Sequence, residues 1–90
     1  MNHYFEDVPG LGNVAVSRHA QDRMANEGIT EEVFVDVLNH PMQERPDGMS
    51  VMWREGRGIR IVILLRPEPN QGAVLVKTVF KMEGAAKAKI

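Results

Sequence analysis

The hydrophobic period of this chain changes once, at Pro41. Before that residue apolar side chains recur at helical spacing, and after it they alternate. A chain ordered this way packs helices on a sheet and makes neither a pure bundle nor a pure barrel. The helical part carries signals at both ends. Ser17 is a predicted N-cap, because its hydroxyl can accept from an orphan backbone N–H two or three residues on. Gly28 is a predicted C-terminal stop, because glycine takes the left-handed conformation without strain. A helix over 17–27 follows, with Ala20 and Met24 inward and Ile29 packed just past its end. Thr30 caps a second helix, with Glu31 and Glu32 in the first turn, where the helix dipole favours negative charge. Val33, Phe34, Val37 and Leu38 make one apolar stripe. The helix stops at 39–40, since Pro41 disfavours helical geometry in the residue before it.

Downstream, 42–45 is a short strand closed by Pro46-Asp47-Gly48, a turn signal. Segments 49–55 and 59–66 flank a hairpin loop, Gly56-Arg57-Gly58. A turn-rich connection over 67–72 leads to a last strand over 73–81. A short strand over 13–16 precedes the first helix. Residues 1–12, with Pro9, Gly10 and Gly12, read as a loop or arm, and 82–90 as a frayed tail. The expected architecture is one α+β domain, with two N-terminal helices packed on an antiparallel sheet of three to four strands.

Alternation assigns faces to the last two strands. Ile59, Ile61, Ile63 and Leu65 share one, with Val74, Val76, Thr78 and Phe80 beneath the helices. The other face carries Arg60, Arg66, Lys77 and Lys81 around Val62, Leu64 and Val79. Trp53, the one tryptophan, reads as core, and the six methionines as gap-fillers. Charge is divided along the chain. Residues 1–47 carry three basic and nine acidic side chains, and residues 48–90 carry eight basic and three acidic. That division suits a basic face for nucleic acid or for an acidic partner, or two halves that neutralise each other in the fold.

Several function classes drop out. The chain has no cysteine, so disulfides and thiolate metal sites are excluded. His3, His19 and His40 stand at no ligand spacing, so no metal is expected. No phosphate-cradling glycine motif is present, and no cofactor is expected. No run approaches the ~18 apolar residues of a membrane span, and MNHYFEDVPG does not read as a secretory signal. A soluble cytoplasmic protein is the expectation.

His19 and Arg23 lie four apart and share a helix face. An imidazole there is a candidate general acid or base, and Arg23 a candidate for stabilising charge on a phosphate. Packing of His19 against the sheet and pairing of Arg23 with Glu27 are the bland alternatives. Arg54, Arg57 and Arg60 cluster about the glycine hairpin, which can wrap a phosphate.

The run SRHAQDRMANEGITEEVFVDVLNHP, Ser17 to Pro41, resembles the opening motif of a family of small bacterial and phage domains of unknown function. Its pattern is Ser-x-His-Ala-x-x-Arg-Met, then Gly-Ile-Thr/Ser, acidic residues and Val-Leu-x-x-Pro, with a weaker match at Thr78-Val79-Phe80. That family resembles the RelE and BrnT toxins in order of elements. The resemblance implies a RelE/BrnT-like fold and metal-independent RNA cleavage. The motif falls here on Ser17, His19, Arg23 and Thr78. The chain departs from it in being nearly neutral, and in having Glu27 where the family often has arginine. The expected roles are His19, Arg23 and Arg60 in catalysis, with Arg54, Arg57, Lys77, Thr78 and Lys81 holding RNA. The alternatives are a non-catalytic module that binds a protein partner, such as an antitoxin-like chain, or forms a homodimer through the exposed sheet face, and a degenerate toxin that keeps the fold without the activity.

Overall fold

The computed structural model describes residues 2–65 and 72–82. Their elements run β1 (Tyr4–Val8), β2 (Gly12–Val16), α1 (Arg18–Glu27), α2 (Glu31–Asn39), β3 (Gln43–Pro46), β4 (Val51–Gly56), β5 (Ile59–Leu64) and β6 (Val74–Lys81). One six-stranded sheet has the order β1-β2-β6-β5-β4-β3. Every neighbouring pair is antiparallel except β2 and β6, which are parallel. This corrects the expected antiparallel sheet of three to four strands behind two leading helices. Two strands precede the helices, and the sheet is mixed.

The reason lies in residues 1–12. Pro9 and Gly10 do not loosen an arm but turn a hairpin, closed by Leu11 N–H donating to Val8 O at 2.9 Å. Val8, Val14 and Val16 are all buried, so this hairpin supplies core. β2 then lies against the last strand, Val14 opposite Val74 and Val16 opposite Val76. Arg66, the turn over 67–71 and the tail over 83–90 fall outside the described residues.

The caps stand where the sequence puts them. Ser17 Oγ accepts from Ala20 N–H at 3.0 Å and donates to Lys77 O at 3.0 Å, so the cap of α1 also fastens it to β6. Gly28 has φ 69°, and Ile29 N–H returns to Met24 O at 2.9 Å. Thr30 Oγ1 accepts from Val33 N–H at 3.2 Å. Ala20, Met24, Ile29, Phe34, Val37 and Leu38 are buried against Ile59, Ile61, Ile63, Val74, Val76 and Val79. Covering a side chain the size of Phe34 supplies roughly 2–3 kcal/mol each time. Two methionines expected in that core, Met42 and Met49, are 84% and 97% exposed.

The helix-covered face holds one charged anchor. Arg54 is 4% exposed. Its Nε meets Glu44 at 2.6 Å, Nη1 donates to Leu38 O at 2.5 Å and Nη2 to Pro9 O at 2.8 Å. It thereby joins β3, the end of α2 and the first hairpin. A Cβ at residue 10 would stand 2.8 Å from Arg54 Nη2, so the close approach requires Gly10.

The faces of β6 differ from simple alternation. Ile63 pairs with Val76 but Val62 pairs with Thr78, which leaves Lys77 as an extra, bulged residue. A bulge shifts the side-chain phase beyond it. Val79 therefore enters the core opposite Ile61, and Phe80 comes to the other face opposite Arg60. Lys81, expected beside Arg60, pairs with Ile59 on the helix side. No helix among the described residues is long and apolar enough to cross a membrane.

Candidate nucleic-acid interface

α1 and α2 cover one face of the sheet. Among the described residues no element packs over the other. Register places three rows of side chains on that open face. Tyr4, Ala15, Leu75, Leu64 and Val51 form an apolar row across five strands. Thr78, Val62, Trp53 and Arg45 form the second, and Phe80, Arg60, Glu55 and Gln43 the third. Apart from exposed Tyr4, Gln43 and Arg45 and buried Glu55, these residues are half-buried, as a sheet surface without a second layer should be.

Arginines and aromatic rings alternate across this face. The Arg23 guanidinium stands 5.9 Å from the Phe80 ring centroid, and the Arg60 guanidinium 5.8 Å from the same ring. Arg60 lies 3.9 Å over Trp53, and Arg45 stands 5.8 Å from that ring. The sequence Arg23–Phe80–Arg60–Trp53–Arg45 thus spans α1, β6, β5, β4 and β3. Arg23 joins because α1 runs along the free edge of β6 where β2 has ended. Ser17 N–H donates to Val76 O at 3.0 Å at one end of that edge, and Lys81 N–H donates to Glu27 Oε1 at 2.9 Å at the other.

Two carboxylates set the geometry. Glu55, 5% exposed, accepts from Arg60 Nε at 2.5 Å. Glu27 accepts from Arg23 Nη2 at 2.5 Å. The Lys81 backbone N–H, foremost, holds the Glu27 carboxyl below its ordinary value of 4.5; burial opposes it, and the Arg23 guanidinium adds to the lowering. The glutamate that departs from the resembled family's pattern therefore braces α1 on β6 and steadies Arg23. Among the described residues each arginine has further N–H groups without a partner, the donors an anion would need.

The expected site residues separate into groups. Arg23 and Arg60 come together around Phe80. His19 is exposed, one helical turn before Arg23 on the same side of α1. Lys77 and Thr78 both oppose Val62 at the bulge, Lys77 exposed and Thr78 half-buried. Thr78 Oγ1 is closed off from solvent and has no hydrogen-bond partner among the described residues. Arg54 is excluded by geometry, since its guanidinium is buried and committed to the fold. Arg57 sits at the tip of the β4–β5 hairpin and faces Asp36 of α2 at 3.4 Å, away from the ladder. Lys81 also lies on the helix side. Among the described residues no group of His, Asp and Glu gathers that could hold a metal.

The residues missed were Phe80, Arg45, Glu55 and Trp53 as a surface ring. Register could have found Glu55. A two-residue turn at Arg57 and Gly58 puts Arg60 opposite Glu55, and so diagonal to Trp53. No family model, curated protein or solved structure matches this chain. The fold and surface define a small α+β domain with a helix-backed mixed sheet and an open cationic-aromatic face.

Proposed function

We propose that this protein is an RNA-binding domain whose open sheet face holds the nucleic acid. One observation carries the reading: the alternating ladder of Arg23, Phe80, Arg60, Trp53 and Arg45. Guanidinia bind phosphates through several directed N–H groups, and ring or guanidinium planes stack on bases. Three arginines on a mixed apolar surface suit a polyanion that also has flat apolar parts. Acidic α2, with Glu31, Glu32 and Asp36, lies on the far side, which orients such a ligand toward the ladder. His19 beside Arg23 adds the groups for metal-independent scission. His19 would take the proton of a ribose 2′-hydroxyl as that oxygen attacks the adjacent phosphorus. Arg23 and Arg60 would neutralise the charge that develops, and the departing 5′-oxygen would take a proton from water.

The test is binding and cleavage of RNA by the purified protein in EDTA. Affinity should fall with salt at a slope of about −2 on a log–log plot, as three phosphate contacts require on a single strand. Arg23→Ala and Arg60→Lys should each weaken it. Cleavage lost in His19→Ala would add catalysis to binding, and RNA bound but intact would leave a binding domain alone. Failure to bind any RNA would end the proposal. A second reading, a protein partner such as an antitoxin-like chain or a second copy, is favoured by the uncharged row Tyr4–Ala15–Leu75–Leu64–Val51. Retention of self-association in Leu64→Glu would count against it.

A further inference from the structure

We infer that the ligand of this face is an unpaired nucleic-acid strand that crosses the β-strands, and that Glu55 is the positioning residue that prepares the surface for it. The inference rests on the RNA-binding reading and narrows it. The ladder crosses the strands from β6 to β3, with one diagonal step between Arg60 and Trp53. Three inter-strand spacings of about 4.8 Å make that path about 14 Å long, room for a few nucleotides and too short for a duplex to follow with both grooves. A duplex also hides its base faces in its own stack. It would meet the arginines through phosphates alone and leave Phe80 and Trp53 unused. An unpaired strand uses both, since each base has a π-face for a ring or a guanidinium plane.

Glu55 decides whether that plane is available. It is 5% exposed, so its carboxylate has little water and needs a cation. Arg60 supplies one through Nε at 2.5 Å. With Nε taken and the guanidinium carbon 3.9 Å from the Trp53 ring centroid, Arg60 is held over the ring, and among the described residues its Nη groups have no hydrogen-bond partner. Ring and guanidinium form a two-layer shelf before any ligand arrives. A preset plane loses less rotamer entropy on stacking than a free arginine. The neighbouring pair of guanidinia, Arg23 at 5.9 Å and Arg60 at 5.8 Å from the Phe80 ring centroid, suits the strand's phosphate.

The experiment uses Trp53 itself, the one tryptophan of the chain, as reporter. The whole protein is titrated with a ten-nucleotide oligouridylate, with an RNA duplex of equal length, and with inorganic polyphosphate. The expected result is a fluorescence change with the unpaired strand alone, and affinity for it at least 10-fold above that for the duplex. Glu55→Gln should cut that preference to below about 3-fold while leaving the salt slope unchanged, because the phosphate contacts persist. Arg60→Lys, which keeps charge and loses the plane, should do the same and covers the case in which Glu55→Gln does not fold. Equal affinity for duplex, polyphosphate and unpaired strand overturns this inference and leaves RNA binding as a purely electrostatic property. Absence of binding to all three overturns the RNA-binding reading as well. Loss of binding with a changed salt slope in a folded Glu55→Gln assigns Glu55 to phosphate electrostatics and overturns its positioning role.

Discussion

Arg54 and Arg60 belong to one hairpin and to opposite faces of one sheet. Arg54 points among the helices, where its guanidinium serves two backbone carbonyls and Glu44 and is 4% exposed. Arg60 points away from the helices, lies on Trp53 and has one buried carboxylate as partner. The same side chain is a structural tie on one face and a surface element on the other. What separates them is an even number of residues on paired strands, not their chemistry. Function therefore has to be sought on the face where arginines keep unused donors.

The phenylalanines give the strongest way to break that contrast. Phe34 is fully buried beneath the sheet, and Phe34→Ala should cost about 3–5 kcal/mol in urea unfolding. Phe80→Ala should cost less than half of that and lower RNA affinity by about 10-fold or more. Equal stability losses would erase the distinction between the faces. Next in size, Arg54→Ala should destabilise by about 2–4 kcal/mol, since Leu38 O and Pro9 O lose their donor. Arg60→Lys should leave the unfolding free energy in urea within about 1 kcal/mol of the parent while weakening RNA binding.

Acid supplies a smaller effect. Glu27 ionises below its ordinary value of 4.5, so the folded chain binds fewer protons there than the unfolded one. Its contribution is complete above that ordinary value and is lost as pH falls through the folded one. Thermal unfolding followed from pH 6 to pH 3 should decline less steeply in Glu27→Gln than in the parent. Smallest of all, Thr78→Val should be neutral or raise stability by up to about 1 kcal/mol, because it removes a closed-off hydroxyl without a partner. A loss of stability there would mean that the oxygen is bonded in solution.

Both helices were legible in the sequence, because Ser17, Gly28, Thr30 and Pro41 act on their immediate neighbours. The first hairpin, in which residues read as an arm form β1, was not. Pro9 and Gly10 signal a turn, but only the pairing of Val14 with Val74, far along the chain, fixes the hairpin in the sheet. The parallel pairing of β2 with β6 has no local signal at all. The Lys77 bulge misled in another way. Alternation was read through it, which sent Val79 outward and Phe80 inward, the reverse of their places. The site suffered directly, for Arg23 and Arg60 were found by charge while Phe80 between them was assigned to the core. Lys81 was drawn into the site by the same slip in phase.

The parallel seam between the second strand and the last has a consequence for synthesis. During translation Val14 and Val16 leave the ribosome early, and their neighbours Val74 and Val76 come some sixty residues later. At roughly 5–20 residues per second the first hairpin and α1 wait several seconds beside an empty slot. Closure of that long loop is then a late event, and the nascent chain carries an unzipped edge until its final strand arrives. A chain stopped just before residue 74 should therefore be captured by holding chaperones, whereas one extended past 82 and clear of the exit tunnel should escape them.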